Sequence, residues 1–456
     1  MIEEIINFLK NKKIIILGFG IEGKSTYNFI RRYLPEINLV VRYNKSNIDE
    51  EKKYLEKDNN LQFIAGDEYL EGIEDADLII KSPGISFKNI DISKFENKIT
   101  SQLELFLEYT KSLCIGVTGT KGKSTTSSLI YEVIKEQERD VELLGNIGIP
   151  IFDEIEKIKK DTITVLELSS HALQYVKKSP NISILLNVFE EHLDHYKSFD
   201  EYRDAKFNIF KFQKEKDFAI FNLDNKVIND KIYTYKKEDY GVTIDNKKNN
   251  KSKNTVFLKD NYIWINNEKV YDISNTRKLK GNHNLNDIMF VLAVCKILNL
   301  DLDKATISIN EFNPLEHRLE FVGEFNKILY YNDSIATIPE ATIESIKALG
   351  NVNTLIVGGN DRGVSQKELI EFLKNSSVDN ILCLPKTGEY IYDGLKEIKK
   401  KNLEKVDTLE EAVRIAKEIT KKNSICLLSP AASSYGYFKN FKERGNLFKE
   451  YVKNRV

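Results

Sequence analysis

The sequence has little that would direct the chain to a membrane or to nucleic acid. No apolar run among its 456 residues reaches the ~18 that a membrane-spanning helix needs. Residues Met1 to Glu4 begin an acidic amphipathic helix rather than a basic signal peptide. The 68 Lys and Arg balance 69 Asp and Glu, so the net charge of −1 favours neither nucleic acid nor an anionic membrane as a partner. We therefore expect a cytoplasmic protein.

Cysteine and histidine are also scarce. The four cysteines lie singly in apolar segments, without metal-ligand or paired spacing, so we expect reduced core residues. All five histidines fall in strand-end or turn motifs, and none lies in an ordinary amphipathic helix. A single histidine in such a place is as often structural as functional, but five such histidines together favour a functional role for the set. The histidines are His171, His192, His195, His283 and His317.

What the sequence does contain is a glycine-rich turn between an apolar run and a helix. Residues 114–118 predict a buried strand, and Gly-Thr-Lys-Gly-Lys-Ser-Thr follows. Such a turn lets the backbone approach a polyphosphate, with a lysine as point charge and a hydroxyl for the magnesium that accompanies ATP or GTP. Val117 replaces a glycine of the general P-loop pattern, and a plain surface loop is the alternative. The predicted nucleotide-binding residues are Gly119, Thr120, Lys121, Gly122, Lys123, Ser124 and Thr125.

The N-terminal region carries a second, dinucleotide-type glycine pattern. An apolar run at 13–17 predicts a strand, Gly-Phe-Gly-Ile-Glu-Gly follows at 18–23, and a helix should extend to about Tyr33. The acidic residue that would hold the ribose of a nicotinamide cofactor is missing, because the next strand runs into Arg42. The pattern therefore indicates a Rossmann-like domain for another anionic nucleotide.

Further strand-like runs alternate with helical stretches to the end of the chain. Polar residues follow two of them, at 167–171 and 189–195, where α/β sheets place their sites. The Lys- and Asn-rich stretch 224–274 predicts a solvated hairpin and loop region, and 285–298 predicts a buried helix. The fold class is therefore α/β with three domains. These are a Rossmann-like N-terminal domain (1–101), a central P-loop ATPase-type α/β domain (102–314) and a C-terminal Rossmann-like α/β domain (315–456).

The order and approximate spacing of these motifs resemble those of the Mur ligases, three-domain ATP-dependent enzymes that form amide bonds in peptidoglycan synthesis. The resemblance covers essentially the whole chain. The C-terminal motifs are similar to those of the branch that adds glutamate. The matching segments are 119–125, 167–170, 187–192, 204–206, 281–284, 317–318, 332–337 and 429–445.

The resemblance implies that ATP converts the carboxylate of UDP-N-acetylmuramoyl-L-alanine to an acyl phosphate, which the amine of glutamate attacks. It implies Lys123, Lys206 and His192 as catalytic residues, and a monomer. Further ATP contacts would be Asn282, His317, Arg318 and Asp333. The UDP-sugar would meet Gly18, Gly20, Ser82, Gly84 and Asn146. Glutamate would meet Thr337, Arg362, Ser434 and Phe441.

The resemblance also implies two magnesium ions, with Ser124 and Glu167 facing one, and Glu167, His192 and Lys206 holding the other. An ammonium group repels a metal ion and has no lone pair. Carbon dioxide addition to the neutral amine would turn Lys206 into an oxygen donor of the kind that magnesium prefers. We therefore expect Lys206 to be carbamylated; without the resemblance it reads as an exposed helix lysine.

The sequence departs from the family pattern at three places, and alternatives stay open. His171-Ala172 stands where the glutamate-adding branch has Phe-Gln and resembles the ligase that adds a diamino acid, although that ligase's Asp-Asn-Pro-Arg motif is absent. Glu191 replaces an aspartate, and Arg362 replaces a lysine but can still pair with a carboxylate. The motifs favour D-glutamate. The alternatives are an L-glutamate-adding Mur ligase, a folylpolyglutamate or cyanophycin-type ligase, and a non-enzymatic nucleotide-binding scaffold.

Overall fold

The computed structural model describes most of the chain. The described ranges are 1–43, 58–145, 150–193, 195–235, 238–248, 252–279, 281–313, 315–361, 364–398, 400–434 and 436–454. The chain divides into two compact units, Met1–Asn275 with Asn286–Ile309, and Thr276–Leu285 with Asn310–Val456. The predicted domain boundary near residue 101 falls inside the first unit, which contains two sheets.

The N-terminal sheet of the first unit is wholly parallel, in the order β3-β2-β1-β4-β5. Its central strand consists of four buried apolar residues, as expected for a strand covered on both faces. The strands are β1 (Ile14–Leu17), β2 (Leu39–Tyr43), β3 (Leu61–Ala65), β4 (Leu78–Lys81) and β5 (Ile99–Thr100), and the helices are α1 (Ile2–Leu9) and α2 (Ile21–Tyr33). The predicted Rossmann-like pattern is confirmed here.

A second sheet of nine strands follows in the order β14-β13-β12-β11-β10-β9-β6-β8-β7. Its strands are β6 (Leu113–Thr118), β7 (Val141–Gly145), β8 (Ile163–Glu167), β9 (Ile182–Leu185), β10 (Phe218–Asn222), β11 (Glu238–Thr243), β12 (Asn254–Lys259), β13 (Tyr262–Ile265) and β14 (Glu268–Asp272). The pairs from β7 to β12 are parallel, and β12, β13 and β14 pair antiparallel. Strand β14 forms one outer edge of this sheet.

Helices flank and follow this sheet. They are α3 (Gln102–Tyr109), α4 (Lys123–Lys135), α5 (Ile151–Glu154), α6 (Ser170–Leu173), α7 (Phe199–Lys211), α8 (Lys226–Ile232), α9 (Asn282–Ile297) and α10 (Leu302–Glu311). Short 3₁₀ helices span Asp67–Leu70, Ile73–Asp75, Glu96–Lys98, Ile155–Lys157 and Asn246–Lys248. The predicted buried helix is confirmed, because every residue of α9 from Ile288 to Cys295 is buried.

The Lys- and Asn-rich stretch is more ordered than the sequence suggested. The hairpins of β12, β13 and β14 are present, but the prediction of a solvated loop is wrong for the helix α8 and the parallel strand β11. Val242, Val256 and Ile263 are fully buried. Apolar residues spaced among polar ones therefore form the buried face of these strands, although the average composition of the stretch is polar.

The second unit contains a six-stranded sheet in the order β15-β16-β20-β17-β18-β19. Its strands are β15 (Glu320–Phe325), β16 (Ile328–Asn332), β17 (Val352–Gly359), β18 (Asn380–Lys386), β19 (Asn402–Lys405) and β20 (Ile425–Leu428). Only β15 is antiparallel to its neighbour, and β19 forms the opposite edge. The helices are α11 (Pro339–Leu349), α12 (Lys367–Asn375), α13 (Thr387–Leu395), α14 (Leu409–Ile419) and α15 (Phe441–Lys453).

The three sheets confirm the predicted α/β fold class. Among the described residues, no helix is both long and apolar enough to cross a membrane.

Candidate active site

The glycine-rich turn follows β6, which lies between β9 and β8 in the nine-stranded sheet. The loops after these parallel strands open at the same sheet edge, where α/β proteins bind ligands. Gly122 has φ +87°, and a Cβ there would lie 2.8 Å from the Asp287 carboxylate. Helix α4 begins at Lys123, so its first backbone N–H groups face the turn as a phosphate site requires.

Asn187 and Tyr202 hold the turn in shape. The Thr120 N–H donates to the Asn187 carbonyl (2.9 Å), and the Lys121 N–H donates to the Asn187 side-chain oxygen (2.8 Å). The Asn187 amide donates in return to the Lys121 carbonyl (3.0 Å). The Thr120 hydroxyl and the fully buried Tyr202 hydroxyl lie 2.9 Å apart. The loop conformation is therefore fixed by protein contacts before any ligand arrives.

Two lysines donate to one carbonyl of the turn. Lys123 Nζ lies 2.9 Å from the Gly119 oxygen, and Lys206 Nζ lies 2.8 Å from the same atom. Lys206 is 2 % exposed, so the prediction of an exposed helix lysine, made without the resemblance, is wrong. Burial lowers the pKa of Lys206 well below its usual value, and Lys123 and Lys121 lower it further against the opposing effect of Glu191. This environment favours the neutral amine.

Glu191 supplies the negative charge of this cluster. Its carboxylate lies 3.4 Å from Lys121 Nζ and 3.7 Å from His192 Nε2. Burial acts to raise the pKa of Glu191, but Lys121, His192, Lys123 and Lys206 outweigh burial and lower the pKa to about 2. The glutamate that replaces the family's aspartate is therefore ionised and bound among four basic side chains.

Three histidines form a cluster around His171, which lies in the short helix after β8; Glu167, the last residue of β8, is 3 % exposed. The ring centroid of His171 lies 4.6 Å from that of His192 and 4.1 Å from that of His195. His195 Nε2 lies 3.1 Å from the Gln174 side-chain oxygen. Burial lowers the pKa of His171 to about 2, and the basic neighbours contribute, so His171 is a neutral imidazole.

The donors near the turn fit magnesium better than a metal held by protein alone. In the part of the chain that the structure describes, no three His, Cys, Asp or Glu side chains are grouped so that they could hold a metal ion. Magnesium usually takes one or two carboxylates and completes its shell with water and substrate phosphates. The buried Glu167 carboxylate and the Ser124 hydroxyl are donors of that kind. The buried Thr125 hydroxyl has no hydrogen-bond partner among the described residues.

The second glycine pattern forms a close-packed turn after β1. Gly18 has φ +94°, and a Cβ on Gly23 would lie 2.0 Å from the Gly18 carbonyl oxygen, so only glycine fits there. The Ser82 hydroxyl donates to the same oxygen (3.3 Å), which brings two predicted UDP-sugar residues together. A Cβ on Gly20 or Gly84 would meet nothing within 4 Å, so space is open beside both. Asn146 lies outside the described residues.

A cavity of about 230 Å³ lies between the two sheets of the first unit. It extends from the second glycine pattern to the end of β8. The polar part of its lining includes Glu22, Lys81, Ser101, Glu167, Ser169 and His171. Glu22 and Lys81 were absent from the predicted site.

The second unit brings His317 and Asp333 to adjoining positions. Asp333 is 3 % exposed and accepts hydrogen bonds from the Ser345 hydroxyl (2.7 Å) and the Ser429 hydroxyl (2.8 Å). The His317 Nδ1 atom lies 2.9 Å from the amide nitrogen of Asn332. Burial raises the pKa of Asp333 to about 6 despite these bonds.

The other predicted residues of this unit are only partly placed. Phe441 begins α15, and its ring centroid lies 6.0 Å from that of His317. Arg318 adds an electrostatic interaction with Asp333, and Ser434 lines a cavity of about 240 Å³. Thr337 lies in the segment between β16 and α11. The side chain of Asn282 and the whole of Arg362 lie outside the described part of the chain.

Sequence reasoning missed several residues that shape these sites. Arg444 is fully buried, and its guanidinium donates to the Ser334 hydroxyl (3.0 Å) and to the carbonyls of Ser334 (2.7 Å) and Ala432 (3.2 Å). A charged residue on the apolar face of a helix was the available signal for Arg444. Asn187 lies in the segment 187–192 that carries the family resemblance, but its contacts with the glycine-rich turn were not predicted, and Tyr202 carried no comparable local signal.

Comparison with known proteins gives full-length matches. Residues 117–295 match the Mur ligase middle domain, and residues 317–432 match the Mur ligase glutamate ligase domain. The chain is 33% identical to the UDP-N-acetylmuramoylalanine–D-glutamate ligase of Clostridium tetani, covering 99% of this chain and 98% of the relative. The enzyme of that name from Clostridioides difficile is 32% identical, covering 98% and 99%.

Solved structures match the fold. The UDP-N-acetylmuramate–alanine ligase MurC of Thermotoga maritima aligns with TM-score 0.60 and 19% identity, over 96% of this chain and 99% of that one. The MurF ligase of Thermotoga maritima in complex with ADP aligns with TM-score 0.60 and 16% identity, over 97% and 95%. The family models and the full-length relatives agree with the motifs and the three sheets: this chain belongs to the Mur ligase family.

Proposed function

We propose that this protein joins D-glutamate to UDP-N-acetylmuramoyl-L-alanine at the expense of ATP, in the synthesis of peptidoglycan precursors. The observation that carries the proposal is the 33% identity, over nearly the whole chain, to a relative named for that reaction. A first unit with two glycine-rich turns supports it, because the reaction needs one site for ATP and another for a UDP-sugar. Both substrates belong to the cytoplasm, and we assign the protein to that compartment as a monomer.

The reaction proceeds by activation of a carboxylate. A carboxylate oxygen of the alanyl group attacks the γ-phosphorus of ATP, the bond to ADP breaks, and an acyl phosphate forms. The amine of glutamate then attacks the acyl carbon, loses a proton, and phosphate leaves. We assign Ser124, Glu167, His192 and Lys206 to hold magnesium, which when bound would supply positive charge that stabilises the transferred phosphoryl group.

Within the first unit, we assign Lys123 to the charge that develops on the γ-phosphoryl group. Its ammonium now donates to two backbone carbonyls of the turn, those of Gly119 and Thr120. A phosphate seated on the α4 N-terminus would be a stronger, charged acceptor for the same donor. Residues 119–125 would bind the phosphates through backbone N–H groups. His192 would contribute as a metal ligand.

Lys206 carries a carbamate in this proposal. Its burial and its lowered pKa support it, because the neutral amine is the form that attacks carbon dioxide, releasing a proton as the N–C bond forms. Lys206→Ala should lose most activity, and a short-chain carboxylic acid should restore part of it. Isotopically labelled carbon dioxide should give a carbamate resonance in the wild type and in the control Lys211→Ala, exposed on the same helix. A missing resonance in active wild-type enzyme would refute the carbamate.

In the second unit, we assign His317, Arg318, Asp333 and Asn282 to the nucleotide, and Thr337, Arg362, Ser434 and Phe441 to glutamate. Phe441 and His317 lie near each other, and Ser434 lines a cavity, which supports a common region for these groups. Gly18, Gly20, Ser82, Gly84 and Asn146 are assigned to the UDP-sugar.

The test is phosphate release from ATP with UDP-N-acetylmuramoyl-L-alanine and one acceptor at a time: D-glutamate, L-glutamate or D-aspartate. We expect turnover with D-glutamate. Exclusive use of L-glutamate would overturn the stereochemical assignment. Phosphate release at the same rate when no acceptor amino acid is present would overturn the ligase assignment. Lys123→Ala should abolish turnover with the fold intact, whereas Lys135→Ala, exposed at the other end of the same helix, should not.

A further inference from the structure

The cavity of the first unit lies between the two places that the proposed function assigns to the ends of one substrate. The second glycine pattern, where a diphosphate would bind, borders it through Ile21 and Glu22. Glu167 and His171 line it too. The proposed function assigns Glu167 to the magnesium that acts on the transferred phosphoryl group, which the reacting carboxylate attacks. The part of the substrate between its diphosphate and its carboxylate must therefore occupy this cavity. In UDP-N-acetylmuramoyl-L-alanine that part is the amino-sugar ring.

Glu22 presents a carboxylate to this cavity. Within the described residues, no hydrogen bond or ion pair engages its side-chain oxygens. Only its backbone carbonyl accepts, from the Thr26 hydroxyl (2.9 Å) and the Gln102 amide (3.0 Å). Burial raises the pKa of Glu22 to about 7, against the opposing effect of Lys81. The side chain of Glu22 is half-buried, so its carboxylate loses part of its hydration without gaining a hydrogen bond, and its place in the cavity wall points to a donor on a ligand.

Lys81 presents the complementary charge. Its side chain is 4 % exposed, and its ammonium donates to the Ser82 carbonyl (3.3 Å) and the Pro83 carbonyl (3.4 Å). Both bonds are long, and an ammonium has three donors, so capacity for a ligand oxygen remains. Burial lowers the pKa of Lys81 to about 7, and Glu22 opposes that shift. The pair thus offers one acceptor and one donor with no net charge.

The rest of the wall is largely apolar. It includes the side chains of Ile99, Leu103, Ile151, Leu168, Tyr175 and Val176. A pyranose ring combines apolar C–H faces with neutral hydroxyl and amide groups at its rim. A charge-neutral donor and acceptor pair in an apolar wall fits such a ring better than it fits a second anion.

We propose that Glu22 and Lys81 bind the amino-sugar ring of the substrate, Glu22 accepting a hydrogen bond from a ring hydroxyl and Lys81 donating to a neutral oxygen of the same ring. This inference rests on the proposed function, because that function identifies the two ends of the substrate as a diphosphate and a reacting carboxylate. It adds two residues that determine which sugar nucleotide the cavity accepts.

The test compares two ligands that differ by the sugar. Calorimetry should measure binding of UDP and of UDP-N-acetylmuramoyl-L-alanine to the wild type, to Glu22→Gln and to Lys81→Met. Each variant should bind the complete substrate about tenfold or more weakly, as expected for the loss of a hydrogen bond to a charged group, and UDP within about twofold of the wild type. Glu68→Gln and Lys10→Met, both exposed in the same part of the unit, serve as controls and should bind both ligands normally.

The outcomes separate this inference from the function beneath it. Wild-type protein that binds neither ligand and releases no phosphate would overturn the proposed function. An active wild type with unchanged substrate affinity in both variants would overturn only the sugar contacts. Equal losses for UDP and for the complete substrate would also overturn them, placing the pair at the nucleotide. An unchanged KM for ATP checks that each variant is folded, and if one variant fails to fold, the other decides.

Discussion

Gly445 controls the position of His317, and replacing it with alanine tests that packing. Gly445 lies buried within α15, where an added Cβ would stand 2.2 Å from His317 Nδ1 and 3.0 Å from the Asn332 amide nitrogen. Nothing else can occupy that space unless the histidine moves. The movement would also separate His317 from Asn332, whose amide nitrogen now lies 2.9 Å from the ring.

The size of the effect follows from three contributions. Alanine favours a helix over glycine by about 1 kcal/mol. Overpacking costs about 1–3 kcal/mol, and loss of a buried hydrogen bond costs about 1–3 kcal/mol. Gly445→Ala should therefore lower the free energy of unfolding by about 1–5 kcal/mol, although helix propensity alone would raise it. A decrease in the free energy of unfolding would therefore indicate overpacking, and an increase would indicate that helix propensity alone decides the outcome.

Urea unfolding followed by circular dichroism measures this change, and steady-state phosphate release gives the KM for ATP. The variant should unfold at lower urea, and the KM for ATP should rise because His317 is assigned to the nucleotide. Asn446→Ala, exposed on the same helix, is the control: helix propensity should keep its stability at or slightly above that of the wild type, and the KM for ATP should not change. Unfolding of Gly445→Ala at wild-type urea, with an unaltered KM, would refute the packing argument.

Three further predictions follow from buried groups. Tyr202→Phe removes the hydroxyl 2.9 Å from Thr120; urea unfolding should show a loss of about 1–2 kcal/mol, and no loss would mean that this contact does not hold the turn. Because the folded protein raises the pKa of Asp333 from 3.8 to about 6, its contribution to stability is complete below pH ~4 and is lost as pH rises through about 6. The stability of wild type minus that of Asp333→Asn should therefore fall by up to about 3 kcal/mol between pH 4 and 7, and a constant difference would contradict this. All four cysteines are buried with raised pKa values, so Ellman's reagent should label none in native protein and four after denaturation; rapid native labelling would contradict the structure.

The sequence predicted the strands that are buried on both faces, but it missed a polar strand at the edge of a sheet. Continuous apolar runs identified β1, β6 and β20, because central parallel strands leave no polar face. Strand β19 shows the opposite case: only Leu403 of its four residues is apolar, and the other three are exposed. Such an edge strand forms because its backbone pairs with β18, and this pairing cannot be predicted from the side chains of β19 alone.

The candidate site was predictable where a motif is local. The glycine turns could be read from spacing because their conformation requires glycine at fixed positions. The contact between Lys206 and the Gly119 carbonyl joins residues 87 positions apart, and only the resemblance singled out that lysine. Glu22 and Lys81 belong to different elements, α2 and β4, and neither position alone indicates a charge facing a cavity.

The polar edge strands of the two larger sheets also affect the tendency of the protein to aggregate at high concentration. Strand β14 turns the exposed Glu268 and Lys269 toward solvent, and β19 does the same with Glu404 and Lys405. An open edge is a template for strands of other copies, and charged side chains make such pairing unfavourable because their hydration would be lost. The charged residues of these two edge strands thus disfavour amyloid-like assembly of the protein. They lie far in sequence from both glycine turns.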